Sequence, residues 1–281
     1  MRTLVYTGFA LVAFAMNSVL CRLALGGATI DAASFSTVRL TAGALTLLLI
    51  TAAVKGKISR SERGNWTSAS LLFLYAIAFS LAYLSLSAGT GALILFGSVQ
   101  ATMLVYALAT GERPRPLAWA GLLLAISGLV YLVSPGLTAP PVMRSALMAA
   151  AGVSWGSYSL RGRGTSDPLG DTTNNFVRAV PLVIVVNLIL LRDLHLSGKG
   201  ILFAVLSGAV ASGLGYVVWY AALKGLTATR AATVQLIVPV LAALGGVILL
   251  AEKVSLRLVI AALMILGGVG LALFGRERAG S

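Results

Sequence analysis

Charge is what this sequence has least of. Lys and Arg number 21 and Asp and Glu only 8, together 10% of the 281 residues, where a soluble domain carries roughly 25%. A water-soluble globule is excluded, because it could not hide 58% hydrophobic residues and stay dispersed. A disordered chain is excluded too, since it needs low hydrophobicity and high charge. Cysteine is nearly absent: Cys21 stands alone, so no internal disulfide framework and no thiolate cage can form. The sole histidine, His195, cannot build a metal site unaided. No HExxH and no facing aspartate pair is present, which leaves an intramembrane enzyme without metal or paired-carboxylate chemistry. Nothing in the chain calls for a metal or a cofactor. The remaining class is an all-α, polytopic membrane protein.

What is present is a series of apolar runs. A bilayer core takes about 20 apolar residues per helix, and short charged or Gly/Pro loops mark the ends. Ten spans follow, over about residues 3–25, 32–54, 67–87, 91–110, 117–135, 143–161, 171–191, 199–221, 228–250 and 256–275. The first is too long for a signal h-region and is expected to be a retained helix. The connections are too short for a soluble domain. The net charge of +13 is scattered between the apolar runs, the pattern of membrane flanks and not of a nucleic-acid surface. With the N-terminus inside, the inner segments hold thirteen basic residues and the outer loops five, Arg144, Arg192, Lys199, Lys253 and Arg257. Both termini are therefore expected on the cytoplasmic side.

The chain repeats itself. Shifted by 139, Arg22 falls on Arg161 and Arg39 on Arg178, with Phe35–Arg39 lying over Asn174–Arg178. Shifted by 133, Leu81-Ala-Tyr83 overlays Leu214-Gly-Tyr216, and shifted by 140, Glu112 overlays Glu252 and Gly128 overlays Gly268. The expected division is 1–138 and 139–281, one membrane domain of two halves. Five spans per half is an odd number, so the second half must be inverted relative to the first. Inverted repeats suit alternating access, because each half can take the conformation the other has just left.

The stretch Ala221-Ala-Leu-Lys224 through Pro239-Val-Leu-Ala-Ala-Leu-Gly-Gly to Leu250-Ala-Glu252-Lys253 resembles the ninth-helix pattern of the drug/metabolite transporter superfamily, in its EamA-type members. The first-half counterpart, Gln100 to Glu112-Arg113, lacks the proline. Within that superfamily the chain is most similar to the YddG-type exporters of aromatic amino acids. The resemblance implies a basket of ten helices around a central cavity, gated by the third, fourth, eighth and ninth, and an exporter of the bacterial inner membrane.

The candidate cavity residues are polar and aromatic. Tyr75, Phe79 and Tyr83 lie at i, i+4, i+8 on one face of the third span, and Tyr216, Trp219 and Tyr220 at i, i+3, i+4 on the eighth. Asn17 and Ser18 correspond to Gly156 and Ser157, which Trp155 and Tyr158 flank; Gln100 and Gln235 sit within the fourth and ninth spans. Ring faces with a few amides and hydroxyls suit an aromatic or amphipathic small molecule. Tyr6, Trp66, Trp119 and Tyr131 are expected in the interfacial belt instead. Pro239 is the expected hinge and Pro181 a kink. Gly121/Ala125 and Gly268/Ala272 are expected to serve close helix packing.

Arg39 and Arg178 lie about two turns inside their helices, roughly 10 Å along the axis. Either they form structural pairs, Arg39 with Glu252 and Arg178 with Glu112, or one holds a substrate carboxylate. No carboxylate falls at mid-membrane, which favours facilitated export over tight proton coupling, with Asp31 and Asp171 the residual proton candidates. The alternatives are a proton-coupled drug antiporter and a sugar-phosphate or nucleotide-sugar antiporter; the latter calls for two or more cavity-facing cations. A channel would more usually show a filter loop or an oligomeric ring. The expected partners are the small-molecule substrate and the lipid bilayer, and the sequence leaves the oligomeric state open.

Overall fold

The structure, a computed structural model, describes residues 2–55, 65–109, 116–134, 136, 139–162, 165–189, 194–223 and 234–277. Among them there is no strand; 87% is helical, and β pairing is limited to an antiparallel bridge between Ile30 and Leu196. In chain order the helices are α1 (Arg2–Gly26), α2 (Ala32–Lys55), α3 (Trp66–Tyr83), α4 (Ala88–Ala109), α5 (Pro116–Val133), α6 (Val142–Arg161) and α7 (Pro168–Ile189). Next comes α8, built from Gly198–Leu206, Ser207–Leu214 and Gly215–Leu223, then α9 (Ile237–Leu250) and α10 (Leu256–Glu277).

Short polar side chains start many of these helices. Oxygens of Asp31, Asn65, Ser87, Asp167, Ser197 and Ser255 each accept the backbone N–H three residues on, at 2.8–3.2 Å. Such a cap satisfies one of the donors that a helix start leaves open. This fixes where each apolar run leaves the loop.

Polarity runs from inside to outside in the sense opposite to a soluble protein. Leu49, Ile248, Leu256 and Leu263 are at least 70% exposed, while Asn17, Arg39, Gln100, Ser207 and Gln235 are buried. Such an exterior is stable only in lipid. Five helices are long and apolar enough to cross a membrane: α1, α2, α3, α7 and α8. Shorter apolar helices run over Ala88–Met103, Trp119–Val133, Ile237–Leu250 and Leu256–Leu271. The sixth expected span, α6, is in neither group; it carries Arg144, Arg161 and serines at 145, 154, 157 and 159. Tyr6, Trp66, Trp119 and Tyr131 all stand exposed on the outside. The chain is a multi-pass helical membrane protein.

Helices pack in a definite set of pairs. α5 lies on α10, α2 on α7 and α4 on α9; α3 packs on α6 and α1 on α8; α6 also meets α4, and α9 also meets α1. Small residues permit the closest of these. A Cβ added to Gly268 would stand 2.5 Å from the Gly121 carbonyl and 2.6 Å from the Ala125 nitrogen, so α5 and α10 touch backbone to backbone.

Two features differ from the sequence reading. The expected eighth span is helical over its whole length, but Ser207–Leu214 is π-helix, a departure that often accompanies function. The expected ninth span, 228–250, is interrupted: Val234 and Gln235 are helical, Leu236 is a turn, and α9 starts at Ile237. Pro239 explains the break, because its ring and missing N–H act on the carbonyl four residues earlier, that of Gln235. Residues 224–233 lie outside the description. α7, by contrast, runs unbroken through Pro181.

Candidate functional site

A small pocket lies in the interior where α1, α3, α4, α6 and α8 converge. Asn17, Tyr75, Phe79, Trp155 and Tyr216 line it, together with Phe14, Ser18, Leu95, Phe96 and Ala211. Its rings pack against one another in edge-to-face and tilted pairs. Trp155 is the hub: its centroid is 4.9 Å from Tyr216, 5.0 Å from Tyr75 and 6.5 Å from Phe14. Three further predicted residues form the next layer. Tyr83 packs on Phe79 at 4.7 Å, Tyr158 stacks on Trp155 at 5.6 Å, and Trp219 meets Phe14 at 5.7 Å.

Not every predicted residue reaches the pocket. Gln100 and Gln235 are buried, 7% and 6% exposed, but do not line it. Tyr220 lies toward the C-terminal end of α6, near Gly162. Phe14, Phe96 and Ala211 were not singled out from the sequence, because an apolar residue in a wholly apolar helix gives no periodic signal. The pocket formed by the described residues is narrow. The space measures about 20 Å3, room for roughly one water, because the aromatic faces close on one another.

A polar chain runs beside the pocket. The Ser207 hydroxyl donates to Asn17 Oδ1 at 2.5 Å, and Asn17 Nδ2 donates to the Tyr75 hydroxyl at 3.2 Å. Arg39 Nη2 donates to the same hydroxyl at 3.0 Å, and Arg39 Nε donates to Ser212 Oγ at 3.4 Å. Both ends of this chain, Ser207 and Ser212, belong to the π segment. That segment presses against α2 so closely that a Cβ at Gly208 would collide with the Arg39 carbonyl. The guanidinium itself is 1% exposed and sits 5.1 Å and 5.0 Å from the Tyr75 and Phe79 ring centroids. Its Nη1 has no hydrogen-bond partner among the described residues.

The expected Arg39–Glu252 pair does not form. Glu252 instead pairs with Arg22, Oε1 to Nε at 3.1 Å, and its Oε2 accepts the Ala88 N–H at 2.8 Å. Arg22 Nη1 also donates to the Tyr83 and Leu84 carbonyls at 3.1 and 3.2 Å. The reason is height: Glu252 and Arg22 both stand at the same end of the bundle, whereas Arg39 is drawn inward by Tyr75 and Ser212. Glu112 lies outside the described residues. Arg178 is half-buried, and its Nη1 likewise has no partner among the described residues.

The described carboxylates all lie at helix ends. Asp31 Oδ2 accepts the His195 N–H at 3.1 Å while Oδ1 caps α2, and Asp171 accepts from the Thr165 hydroxyl. At the end of the bundle opposite Arg22, Lys55 pairs with Asp167, Thr51 meets Thr173 at 2.9 Å, and Arg161 Nε donates to Ser68 Oγ at 3.2 Å. Burial pushes the Asp167 carboxyl up, but bonds from Lys55 and the Gly170 N–H outweigh it and hold the group below the usual carboxylate range.

Comparison with known proteins places this architecture. The profile of the EamA-like transporter family matches residues 144–274. Uncharacterized protein PA1977 of Pseudomonas aeruginosa is 50% identical over 275 residues, 98% of this chain and 96% of that one. A solved structure described only as the crystal structure of a protein is similar along 99% of this chain and 98% of its own, with TM-score 0.71 at 21% identity; that likeness speaks to the fold. Residues 144–274 thus carry a domain of the EamA-like transporter family, of the drug/metabolite transporter superfamily.

Proposed function

We propose that the protein exports aromatic and large neutral amino acids, and related small metabolites or drugs, by alternating access. The observation that carries this reading is the aromatic pocket seated between helices of both halves. Substrate side chains would replace the ring-to-ring contacts that now fill it.

Two inverted five-helix repeats, 1–138 and 139–281, supply the mechanism. Exchanging each helix with the one five places along carries the main packing pairs into one another. α5·α10, α2·α7 and α4·α9 map onto themselves, α3·α6 onto α1·α8, and α4·α6 onto α1·α9. Such a pattern supports two states related by swapping the roles of the halves. In the present state both ends are held. Arg22–Glu252–Ala88 ties α1, α4 and the α9–α10 link at one end, and Lys55–Asp167 ties α2 to the α6–α7 link at the other. By the distribution of basic residues the first end is extracytoplasmic and the second cytoplasmic, in the inner membrane of a bacterium with both termini inside. Opening one end at a time would use the helix break before Pro239 as its hinge.

No carboxylate among the described residues adjoins the pocket, which favours facilitated, gradient-driven movement. The test is uptake of labelled amino acids into proteoliposomes, with and without a pH gradient. Saturable uptake of phenylalanine, tryptophan or leucine, changed less than twofold by the gradient, is expected. Strong acceleration by protons would overturn the facilitator mechanism, and indifference to all of these substrates would overturn the substrate class.

A further inference from the structure

We infer that Arg39 is the anion anchor of the transport site and that the ligand it accepts is a carboxylate. Arginine cannot shed its proton in a protein, and an isolated buried cation remains costly even after its surroundings relax. This one, 1% exposed, has no acidic partner among the described residues. Two ring faces and two hydroxyls offset part of that penalty, and Nη1 is left with nothing to donate to.

A second donor points the same way. The Tyr75 hydroxyl receives bonds from both Asn17 and Arg39, so its own proton remains to be given. A guanidinium N–H and a phenol O–H on neighbouring groups make a two-donor cradle for a carboxylate. Tyr75 and Phe79 both line the pocket and both cover Arg39. A swing of these rings that enlarges the pocket also uncovers the guanidinium. The substrate then places its side chain among the aromatic faces and its carboxylate on Arg39. Primary amines without a carboxylate are excluded, because they would set a second cation beside the first.

The inference rests on the transport reading only for where the ligand enters. Its test is ligand protection of the purified full-length protein against heat, with L-phenylalanine, 3-phenylpropionate, phenethylamine and L-leucine. Phenylalanine and phenylpropionate are expected to stabilise the wild-type protein and phenethylamine to have no effect. Arg39→Gln is expected to weaken protection by both aromatic carboxylates at least tenfold in concentration. Equal protection by phenethylamine and phenylalanine would overturn the anchor while leaving an aromatic-compound transporter intact. Protection by leucine alone would keep the anchor and overturn the aromatic pocket's role. No protection by any carboxylate, or full protection of Arg39→Gln, would overturn the anchor. If Arg39→Gln fails to fold, the wild-type series decides.

Discussion

Trp155 makes ring contacts with Phe14, Tyr75, Tyr158 and Tyr216, more than any other ring among the described residues. Trp155→Ala is expected to raise the half-saturating concentration for aromatic substrates about tenfold, a loss of about 1.4 kcal/mol, with leucine affected less. Trp155→Phe should recover most of it; initial rates across a substrate series measure both. Tyr75, Phe79, Trp155 and Tyr216 were legible in the sequence because they are large rings at helical spacing or at repeated positions. Phe14 was not, since nothing distinguishes it from the apolar residues around α1. The partner of Glu252 was misread for a different reason. Residue number places a Cα along a span but not the reach of its side chain: Arg39 is drawn inward to Tyr75 and Ser212, away from the end where Arg22 meets Glu252.

At the scale of the element, the π segment of α8 decides how α2 sits. Gly208 faces the Arg39 carbonyl with no room for a methyl group, and backbone cannot move aside as a side chain would. Gly208→Ala is expected to destabilise the protein by about 1–3 kcal/mol and to reduce transport, read from thermal melts in detergent and from initial rates. Gly213→Ala, whose Cβ would stand 3.3 Å from a Thr46 methyl, should do much less. The sequence showed a helix over 199–221 and could show no more. Ser-Gly-Ala-Val-Ala-Ser-Gly-Leu is a run of small residues that fits either helix type, and the contacts to Asn17 and Arg39 that select the wider one come from other helices. Pro239 was the reverse case: its covalent geometry acts locally, so the helix break beside it was within reach of the sequence.

The whole molecule is pinned at two ends, and each pin is separately testable. Glu252→Gln removes the charge that holds Arg22 and should favour the state open at that end. Asp167→Asn removes the partner of Lys55 and should favour the opposite state. Labelling of an introduced cysteine, Thr51→Cys in a Cys21→Ser background, is expected to rise several-fold with Asp167→Asn and not with Glu252→Gln. The Asp167 carboxyl is held below its ordinary value, so its pairing is complete above about pH 4 and is lost only as pH falls through the still lower value of the folded state. Transport should therefore not vary through this pin between pH 6 and 8 on that side, which rates at graded lumenal pH would check. The all-helical membrane class was legible from composition alone. The aromatic interior was legible in kind and not in volume, since no sequence feature says how closely rings will pack.

The pairing of helices also bears on how the chain is made. The main packing partner of every helix from α1 to α5 lies among α6 to α10. A ribosome that has delivered only the first five spans has therefore inserted helices whose mates have not yet been synthesised. They must wait in the bilayer, separated and unfolded as a tertiary structure, until the later ones arrive. Neither fragment should form a stable bundle alone, and the two expressed as separate polypeptides should find each other.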